Sequence, residues 1–301
     1  MIDWNAFMGL YPEKSFCLTR WLEMPELPEV ETVVRDLRPL LADRLLANIS
    51  TSGSKLRRPW KKEWGNQLEG KKILALRRRG KWILIDISGD FCLIIHLGMT
   101  GQLCVFPSQE PLEDHTHLVF ELGNGAYQLR FRDVRRFGSA ELINSAKVTD
   151  FFEQKRIGPE PFDVDPDYWH KAIKASKRNM KAILLDQQVV CGVGNIYADE
   201  SLYAAGIHPA RKGASLYYEE SQKLRKCVEK VLKNAIEKRG STIRDYIGGS
   251  RLKGGFQDEF MVYGRDEESC MKCNSKIQRQ VLAGRSSHFC PKCQPAKPSK
   301  R

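Results

Sequence analysis

Four cysteines near the end of the chain have the spacing of metal ligands. Cys270 and Cys273 form one Cys-x2-Cys pair, Cys290 and Cys293 form another, and 16 residues separate the pairs. Two such pairs supply the four thiolates of a tetrahedral zinc site, and the metal stabilises a segment too short to bury a core of its own. The spacing predicts one structural Zn²⁺; two disulfides or an iron site of the same geometry are the alternatives.

The segment that carries these cysteines is strongly basic. Between Cys270 and Arg301 there are eight Lys or Arg residues and no acidic residue, and the whole chain has a formal net charge of +12. A positive excess of this size favours a polyanionic partner, most simply nucleic acid. On charge alone, a basic surface that only keeps the protein soluble is the alternative.

A segment with catalytic potential is Met24–Thr32, which reads MPELPEVET. Pro28 near the start of a helical pattern and Glu29 in its first turn favour a helix here. Taken alone, the segment is a proline-rich helix start. It gains meaning from three later motifs, which follow in this order: HLGMTG at His96–Gly101, DVRRFG at Asp133–Gly138 and GVGNIYA at Gly192–Ala198.

These motifs and the cysteine finger together resemble the Fpg/Nei family of DNA glycosylases, enzymes of bacterial base-excision repair. The match runs from Met24 to about Cys293, nearly the whole chain. The resemblance implies an α+β fold with an N-terminal β-sandwich flanked by helices, a helical helix-two-turn-helix domain and a C-terminal four-cysteine zinc finger. It also implies double-stranded DNA with oxidised bases or abasic sites as the partner, and one structural Zn²⁺ as the cofactor.

The resemblance also implies the catalytic residues. Pro25 matches the nucleophile, because the family removes the initiating Met and uses the amine of an N-terminal proline. An α-amino group titrates at about 8, so part of it is unprotonated and can attack C1′ of a damaged nucleoside to form an iminium. Glu26 matches the acid/base at the opening sugar ring, and Glu29 a second acid near the site. Lys81 matches a residue that assists β-elimination, and Arg285 one that assists δ-elimination.

Residues 1–23 conflict with this chemistry. In mid-chain the nitrogen of Pro25 is an amide with no useful nucleophilicity. We therefore expect translation to begin at Met24 and the upstream residues to be a misassigned start; an extension removed by proteolysis, or an inactive isoform, is the alternative. Acidic residues at Asp3, Glu13 and Glu23, and no long apolar run, argue against a targeting signal.

The composition is that of a globular chain. Hydrophobic residues make up 42% and charged residues 29% of the 301 residues, enough to build about two domains. No run approaches the roughly 20 apolar residues that span a bilayer, so no contact with a membrane is expected. The nine cysteines are an odd number without a secretory signal, which favours a reducing compartment. The family resemblance implies a bacterium, so the expected location is the bacterial cytoplasm.

Three residues match the family's wedge, which enters DNA when a damaged base is extruded from the duplex. Extrusion leaves a gap in the stack that protein side chains must fill. By resemblance, Met99, Arg135 and Phe137 fill this gap. A guanidinium group suits hydrogen bonding to the orphan cytosine, and an apolar side chain or a ring suits insertion between bases.

Three further residues match family residues that contact DNA phosphates. They are His115, Lys177 and Asn195. His96 ends an apolar run and is interpreted as a core residue. The backbone N–H groups at the helix start after Gly194 also suit a phosphate.

The elements that must position these residues follow from apolar periodicity. The pattern predicts six strands, at Lys72–Leu76, Trp82–Ile87, Phe91–Leu97, Leu103–Phe106, His117–Leu122 and Tyr127–Arg132. It predicts later helices at Asp167–Ala175, Met180–Gln187, Ile196–Ala205 and Ser215–Lys238. With a proline-rich linker at Gly158–Pro161 and a lesion-capping loop around Gly248–Gly255, the predicted domains are 24–157, 158–261 and 262–301.

The combined prediction is a bifunctional DNA glycosylase and AP lyase that removes oxidised purines, 8-oxoguanine and formamidopyrimidines, through a Schiff base and β,δ-elimination. An endonuclease VIII-like glycosylase for oxidised pyrimidines is one alternative, although Leu27 stands where that branch has Gly. A non-catalytic zinc-finger protein that binds damaged DNA is the other, and chiefly Pro25 and Glu26 distinguish it. We expect a monomer, because one site between two domains suffices.

Overall fold

The computed structural model describes residues 24–52, 56, 58–241 and 254–296. The predicted extension at 1–23 and most of the predicted capping loop, at 242–253, lie outside the described residues. Among the helices of the described part, none is both long and apolar enough to cross a membrane.

The N-terminal part is a β-sandwich of two four-stranded antiparallel sheets, as predicted. One sheet has the order β1-β6-β7-β5 and the other β2-β3-β4-β8. The strands are β1 (Leu46–Thr51), β2 (Ile73–Arg79), β3 (Trp82–Ile87), β4 (Phe91–His96), β5 (Gly101–Pro107), β6 (Thr116–Leu122), β7 (Tyr127–Asp133) and β8 (Ser139–Asn144). The sequence pattern predicts six of them and misses β1 and β8. Both are edge strands that carry many polar residues, so their apolar alternation is weak.

Helices flank the sandwich. Helix α1 (Leu27–Leu41) places Val30, Val33, Val34 and Leu37 in the sandwich core, while two short helices, α2 (Lys62–Leu68) and α3 (Val148–Gln154), lie farther along the chain. The apolar spacing of α1 gives it one buried face, and Pro28 fits the first turn because its missing N–H would have no partner there.

The second part is helical and has its own core. It contains α4 (Pro166–Lys174), α5 (Met180–Leu185), α6 (Asn195–Ala205) and α7 (Tyr218–Glu237). Trp169, Tyr197 and Leu224 are fully buried in this core, and Leu27 at the start of α1 also packs into it. The segment that carries the predicted catalytic residues therefore lies where the sandwich and the helical part meet.

The last part is a finger built on the four cysteines. Its hairpin pairs β9 (Gln278–Leu282) with β10 (Arg285–Phe289) in antiparallel register. Val262, Cys270, Ile277 and Cys290 form a small buried cluster with Tyr203 of α6. The finger is thus packed against the helix that follows the glycine-rich motif, and the predicted α+β class is confirmed.

We propose domain boundaries at 157/158 and 261/262. The hydrophobic clusters support the first position, because Ile157 packs with the outer face of the sandwich whereas Val164 belongs to the helical core. Around the second position the two clusters alternate along the chain: Phe260 and Tyr263 belong to the helical core, and Met261 and Val262 pack with the finger.

Candidate active site

The opening motif lies against the glycine-rich turn that precedes α6. Pro25 is buried, Met24 is half-buried, and the backbone N–H of Leu27 donates to the carbonyl of Gly192 at 3.0 Å. Gly192 has a φ of +87°, a conformation that glycine adopts without strain. Glu26 and Gly194, which are 168 residues apart in the sequence, are also hydrogen-bonded to each other. The two motifs therefore form one structural unit.

Glu26 is the centre of this unit. Its carboxylate accepts hydrogen bonds from the backbone N–H of Gly194 at 2.6 Å and of Ile196 at 2.9 Å, so the N-terminus of α6 faces the acid. A Cβ at Gly194 would lie 2.3 Å from Glu26 Cδ, so only glycine permits the approach. Burial raises the pKa of Glu26 to about 7, although Lys81 and the N–H of Ile196 act in the opposite direction.

Glu29 is buried behind Glu26. It accepts a hydrogen bond from the backbone N–H of Glu26 at 2.9 Å, from the Tyr197 hydroxyl at 2.5 Å and from the N–H of Ser241 at 2.8 Å. Burial and the neighbouring carboxylates raise the pKa of Tyr197 well above its usual value, so the phenol stays a donor. Glu29 fixes the start of α1 against the helical part and does not line the cleft described next.

An open cleft of about 1190 Å³ lies between the three parts of the molecule. Its walls contain Met24 and Glu26 from the opening motif, Lys81 from the β2–β3 turn, and Asn195 at the start of α6. Lys81, Arg135, Arg178 and Arg285 line it with cationic groups, and of the acids there Asp186 pairs with Arg178 at 2.8 Å. The cleft is therefore suited to an anionic ligand.

Lys81 is held at the cleft by a network around Glu160. The Glu160 carboxylate accepts from the N–H of Gly80 at 2.6 Å and pairs with Arg78 at 2.8 Å and Arg79 at 3.2 Å. The two guanidinium groups and the Gly80 N–H lower the pKa of Glu160 despite its burial. The turn that carries Lys81 is thereby fixed to the segment that begins the helical part.

The three predicted wedge residues lie on two neighbouring loops. Met99 and Arg135 line the cleft, and Phe137 is 42% exposed beside them. The Arg135 guanidinium lies over the Phe137 ring at 4.8 Å from its centroid. Single exposed rings are common on protein surfaces, so the position of this ring and its stacked guanidinium beside the cleft is what suits insertion into a base stack.

The structure separates the predicted phosphate contacts. Asn195 lines the cleft, whereas His115 and Lys177 are exposed and do not line it. His96, interpreted from the sequence as a core residue, lines the cleft instead, which corrects that interpretation. Its ring lies 4.6 Å from the Trp82 ring, and its Nδ1 accepts from the N–H of Gly98 at 3.1 Å. In that tautomer, Nε2 carries the proton and is a donor.

The sequence prediction also missed Lys181. This side chain is fully buried below the turn, donates to the carbonyl of Asn195 at 2.8 Å and pairs with Asp199 at 2.7 Å. A buried lysine needs such a partner, because an isolated ammonium would lose its hydration without compensation. The spacing of Lys181 and Asp199 across two helices gives no signal in a single sequence.

The four cysteines meet as predicted. All four sulfur atoms lie within 4.8 Å of one another, with separations of 3.8 Å for Cys270–Cys293 and 3.4 Å for Cys273–Cys290. Zn–S bonds of about 2.3 Å in a tetrahedron separate the sulfurs by about 3.8 Å, so the set fits one Zn²⁺. A disulfide needs a separation of about 2.05 Å. Four protein thiolates complete the shell, so the ion is structural.

The finger brings Arg285 to the cleft. Arg285 begins β10, and three residues later the N–H of His288 donates to Asp199 at 2.9 Å. Gln294 connects the finger to the helical part a second time, because its side chain donates to the carbonyl of Ile207 and accepts from the N–H of Cys290, both at 2.9 Å. Arg285 is therefore placed by buried polar contacts of the helical part.

The β-sandwich, the helical part with its glycine turn and the zinc finger around one basic cleft are the features of a DNA glycosylase. Three family models match the chain: "Formamidopyrimidine-DNA glycosylase N-terminal domain" at 24–140, "Formamidopyrimidine-DNA glycosylase H2TH domain" at 157–246 and "Zinc finger found in FPG and IleRS" at 267–296. The chain belongs to the formamidopyrimidine-DNA glycosylase family, a family of glycosylases with AP lyase activity. This confirms the resemblance that the motifs indicate.

Individual relatives agree over nearly their whole length. The chain is 42% identical to the formamidopyrimidine-DNA glycosylase of Carboxydothermus hydrogenoformans, covering 90% of this chain and 100% of the relative. It is 44% identical to that of Moorella thermoacetica, covering 85% and 94%. Lactococcus lactis Fpg in complex with abasic-site-containing DNA is 37% identical with a TM-score of 0.85, covering 90% of this chain and 99% of that chain.

Proposed function

We propose that this chain acts in base-excision repair as a bifunctional enzyme, which removes oxidised purines from duplex DNA and then cleaves the strand at the abasic site. Its family membership and basic cleft support this function, and solved complexes of the Lactococcus lactis relative contain DNA with Fapy-dG or an abasic site. Such an enzyme works where the bacterial chromosome lies, in the cytoplasm.

One observation carries the assignment of the nucleophile. Met24 lines the cleft and is bonded directly to the nitrogen of Pro25, which stands next to Glu26. Removal of Met24 and everything before it therefore frees a secondary amine at the wall of the cleft. The family model likewise begins to match at residue 24.

The chemistry proceeds from this amine. The nitrogen of Pro25 attacks C1′, the bond from C1′ to the damaged base breaks, and the base takes the proton that the amine nitrogen loses. Glu26 supplies a proton to the ring oxygen O4′ as the sugar opens, which leaves an iminium between Pro25 and C1′. A carboxyl group with a pKa of about 7 can serve as donor and acceptor near neutral pH.

Strand cleavage follows from the iminium. The iminium acidifies C2′, so loss of a C2′ proton expels the 3′ phosphate, and a second elimination expels the 5′ phosphate. Lys81 and Arg285 line the same cleft and are cationic, so they stabilise the departing phosphates. Water then hydrolyses the imine and regenerates the amine.

The remaining site residues hold the DNA. Met99, Arg135 and Phe137 fill the gap left by the extruded nucleotide, and Asn195 contacts the backbone beside it. We add His96 as a phosphate contact, because it lines the cleft and its Nδ1 accepts from Gly98, which makes Nε2 the donor nitrogen of the ring. His115 and Lys177 stay predicted contacts, for DNA that passes outside the cleft.

Borohydride trapping tests the proposal. Two proteins are compared, the 301-residue chain and a chain expressed from Met24 whose Met removal is verified by intact mass. Each is mixed with duplex DNA that carries 8-oxoguanine opposite cytosine, and the adduct is mapped by peptide mass. We expect an adduct on Pro25 in the second protein and none in the first.

The other outcomes separate the alternatives. Tight binding without an adduct or cleavage in either protein would make the chain a non-catalytic damage-binding protein. Faster trapping on thymine glycol than on 8-oxoguanine would place it with the pyrimidine-excising glycosylases. An adduct on Pro25 in a protein that retains Met1 would contradict the role of the free amine.

A further inference from the structure

Asp133 is a buried acid that the mechanism above does not use. It ends β7, its exposure is 0%, and it begins the motif that contains Arg135 and Phe137. Its carboxylate accepts from the backbone N–H of Gly138 at 2.7 Å and from that of Arg135 at 3.3 Å. One carboxylate thus holds both ends of the loop that carries two wedge residues.

The same carboxylate also holds the other wedge loop. The Thr100 hydroxyl donates to Asp133 at 2.5 Å, and its oxygen in turn accepts from the N–H of Arg135 at 3.0 Å. Thr100 follows Met99 directly. The loop that carries Met99 and the loop that carries Arg135 are therefore joined through a single pair of buried side chains.

Backbone geometry leaves these two loops little freedom. A Cβ at Gly98 would lie 2.5 Å from the nitrogen of Gly138, so the loops are in direct backbone contact. Arg136 has a φ of +56°, a conformation that costs a non-glycine residue energy and persists only when its surroundings impose it. The N–H of Arg136 donates to the carbonyl of Asp133 at 3.3 Å, which provides such a constraint.

We propose that Asp133 is a positioning residue that presets the wedge and thereby sets how strictly the enzyme distinguishes the base opposite the lesion. This inference rests on the proposed function. Arg135 distinguishes opposite bases only if its guanidinium is held where it can hydrogen-bond the edge of one base and not of another, because a backbone free to shift would let the side chain adapt to either base. Asp133 fixes that backbone together with Met99.

The variant Asp133→Asn tests the role. Asparagine keeps the shape, but its NH2 group cannot accept the hydrogen bond from Gly138 or Thr100. We expect the ratio of kcat/KM for 8-oxoguanine opposite cytosine to that opposite adenine to fall by about tenfold, because a displaced guanidinium loses discrimination of about the size that one good contact to a base edge provides. Lyase activity on a single-stranded abasic oligonucleotide, which has no opposite base, should stay within about twofold.

A double-mutant cycle separates positioning from general damage to the fold. In an Arg135→Ala background, Asp133→Asn should change the opposite-base ratio no further, because the side chain that Asp133 positions is gone. Thr100→Val, which replaces the hydroxyl by a methyl group, should shift the ratio in the same direction. This variant tests the proposal if Asp133→Asn fails to fold. Asp86→Asn breaks an ion pair with Arg77 outside the cleft and is the matched control.

The measurements use whichever of the two forms defined above, the 301-residue chain or the chain that begins at Pro25, carries the activity. An unchanged ratio in an active Asp133→Asn enzyme, or an equal further change in the Arg135→Ala background, would overturn the inference. Absence of excision in the unmutated protein on every substrate would contradict the proposed function instead.

Discussion

Glu26 combines two environments that oppose each other. Backbone N–H groups of Gly194 and Ile196 favour the charged carboxylate, yet complete burial raises its pKa to about 7 because the carboxylate loses its hydration. A side chain that titrates near neutral pH exchanges a proton efficiently in either direction. The environment of Glu26 is therefore consistent with proton transfer at the sugar.

The variant Glu26→Gln should remove one limb from the pH profile of base excision. The single-turnover rate of the unmutated enzyme should rise with pH as the proline amine, with a pKa of about 8, loses its proton, and fall as Glu26, with a pKa of about 7, loses its own. The pH profile is then bell-shaped, and Glu26 gives its falling limb. In Glu26→Gln we expect a rate lower by about 10²–10⁴-fold and no limb near pH 7. Excision of 8-oxoguanine at pH 5.5–9.5 checks both features.

The same pKa gives a stability control with a definite sign. Between the unperturbed value of 4.5 and about 7, the native state binds more protons at Glu26 than the unfolded state does. The contribution of Glu26 to the free energy of unfolding therefore falls as the pH rises through this window. Urea unfolding should show this fall in the unmutated protein and a weaker one in Glu26→Gln; identical pH dependence would contradict the raised pKa.

At the residue scale, the sequence motifs identify most of the cleft but not all of it. Glu26 and Asn195 belong to two of the four ordered motifs, and Lys81 follows from the family resemblance; all three line the cleft. His96 follows an apolar run in the sequence, which is typical of a core residue. Only its pairing with Trp82 at the end of β4 reveals that it faces the cleft. Lys181 and its partner could not be predicted, because a buried pair depends on how two helices pack.

At the scale of elements, the critical feature is the turn from α5 to α6. Gly194 has φ −130° and ψ −153°, an extended conformation that residues with a side chain can also adopt. This position requires glycine because a Cβ would overlap with the Glu26 side chain, and not because of its backbone angles. Leu27 and Gly192 fix the turn from one side, and the Glu26 carboxylate occupies the place of a Cβ. Helix periodicity predicts α5 and α6 but does not reveal this packing.

The variant Gly194→Ala should therefore damage catalysis more than folding. The added Cβ would collide with Glu26 Cδ at 2.3 Å, and relief of the collision must move the carboxylate or the start of α6. We expect a loss of about 1–3 kcal/mol in the free energy of unfolding. Excision should fall by about a hundredfold because the acid is misplaced.

Gly65→Ala is the matched control for this variant. Gly65 lies inside α2, where an added Cβ would have Ile49 as its nearest neighbour, at 3.8 Å, an ordinary contact. Alanine should stabilise that helix by about 0.5–1 kcal/mol and leave excision unchanged. Equal excision by Gly194→Ala and Gly65→Ala would show that the turn does not position Glu26.

At the scale of the whole molecule, buried polar contacts join the finger to the helical part. Asp199 is fully buried and pairs with Lys181 on one side and with the N–H and ring of His288 on the other. Glu200, the next residue, accepts from the N–H groups of Val262 and Tyr263 where the chain enters the finger. Cysteine spacing predicts the zinc ion, but not this attachment, which depends on residues of α6.

The position of Arg285 should depend on this attachment. Asp199→Asn keeps the volume of the side chain but leaves the Lys181 ammonium buried without its charged partner, which costs about 3–5 kcal/mol in comparable cases. That cost falls on the packing of α5 against α6. The contact with β10, which Arg285 begins, weakens as well, because an amide accepts the hydrogen bond from the His288 N–H less strongly than a carboxylate does. Because Pro25, Glu26 and Lys81 lie outside the finger, we expect base excision and β-elimination to persist while δ-elimination slows.

Gel analysis of the 3′ ends measures the ratio of δ- to β-elimination products directly. The control is Asp266→Asn, because Asp266 faces the other side of the His288 ring at 3.7 Å and is 45% exposed, so screening by water makes its loss small. We expect Asp199→Asn to lower the ratio by about tenfold, less than the roughly 10²–10³-fold loss on removal of a charge-stabilising group because Arg285 is displaced and not deleted, and Asp266→Asn to leave it unchanged. A normal ratio in a folded, zinc-loaded Asp199→Asn protein would mean that the finger places Arg285 without the contacts of Asp199.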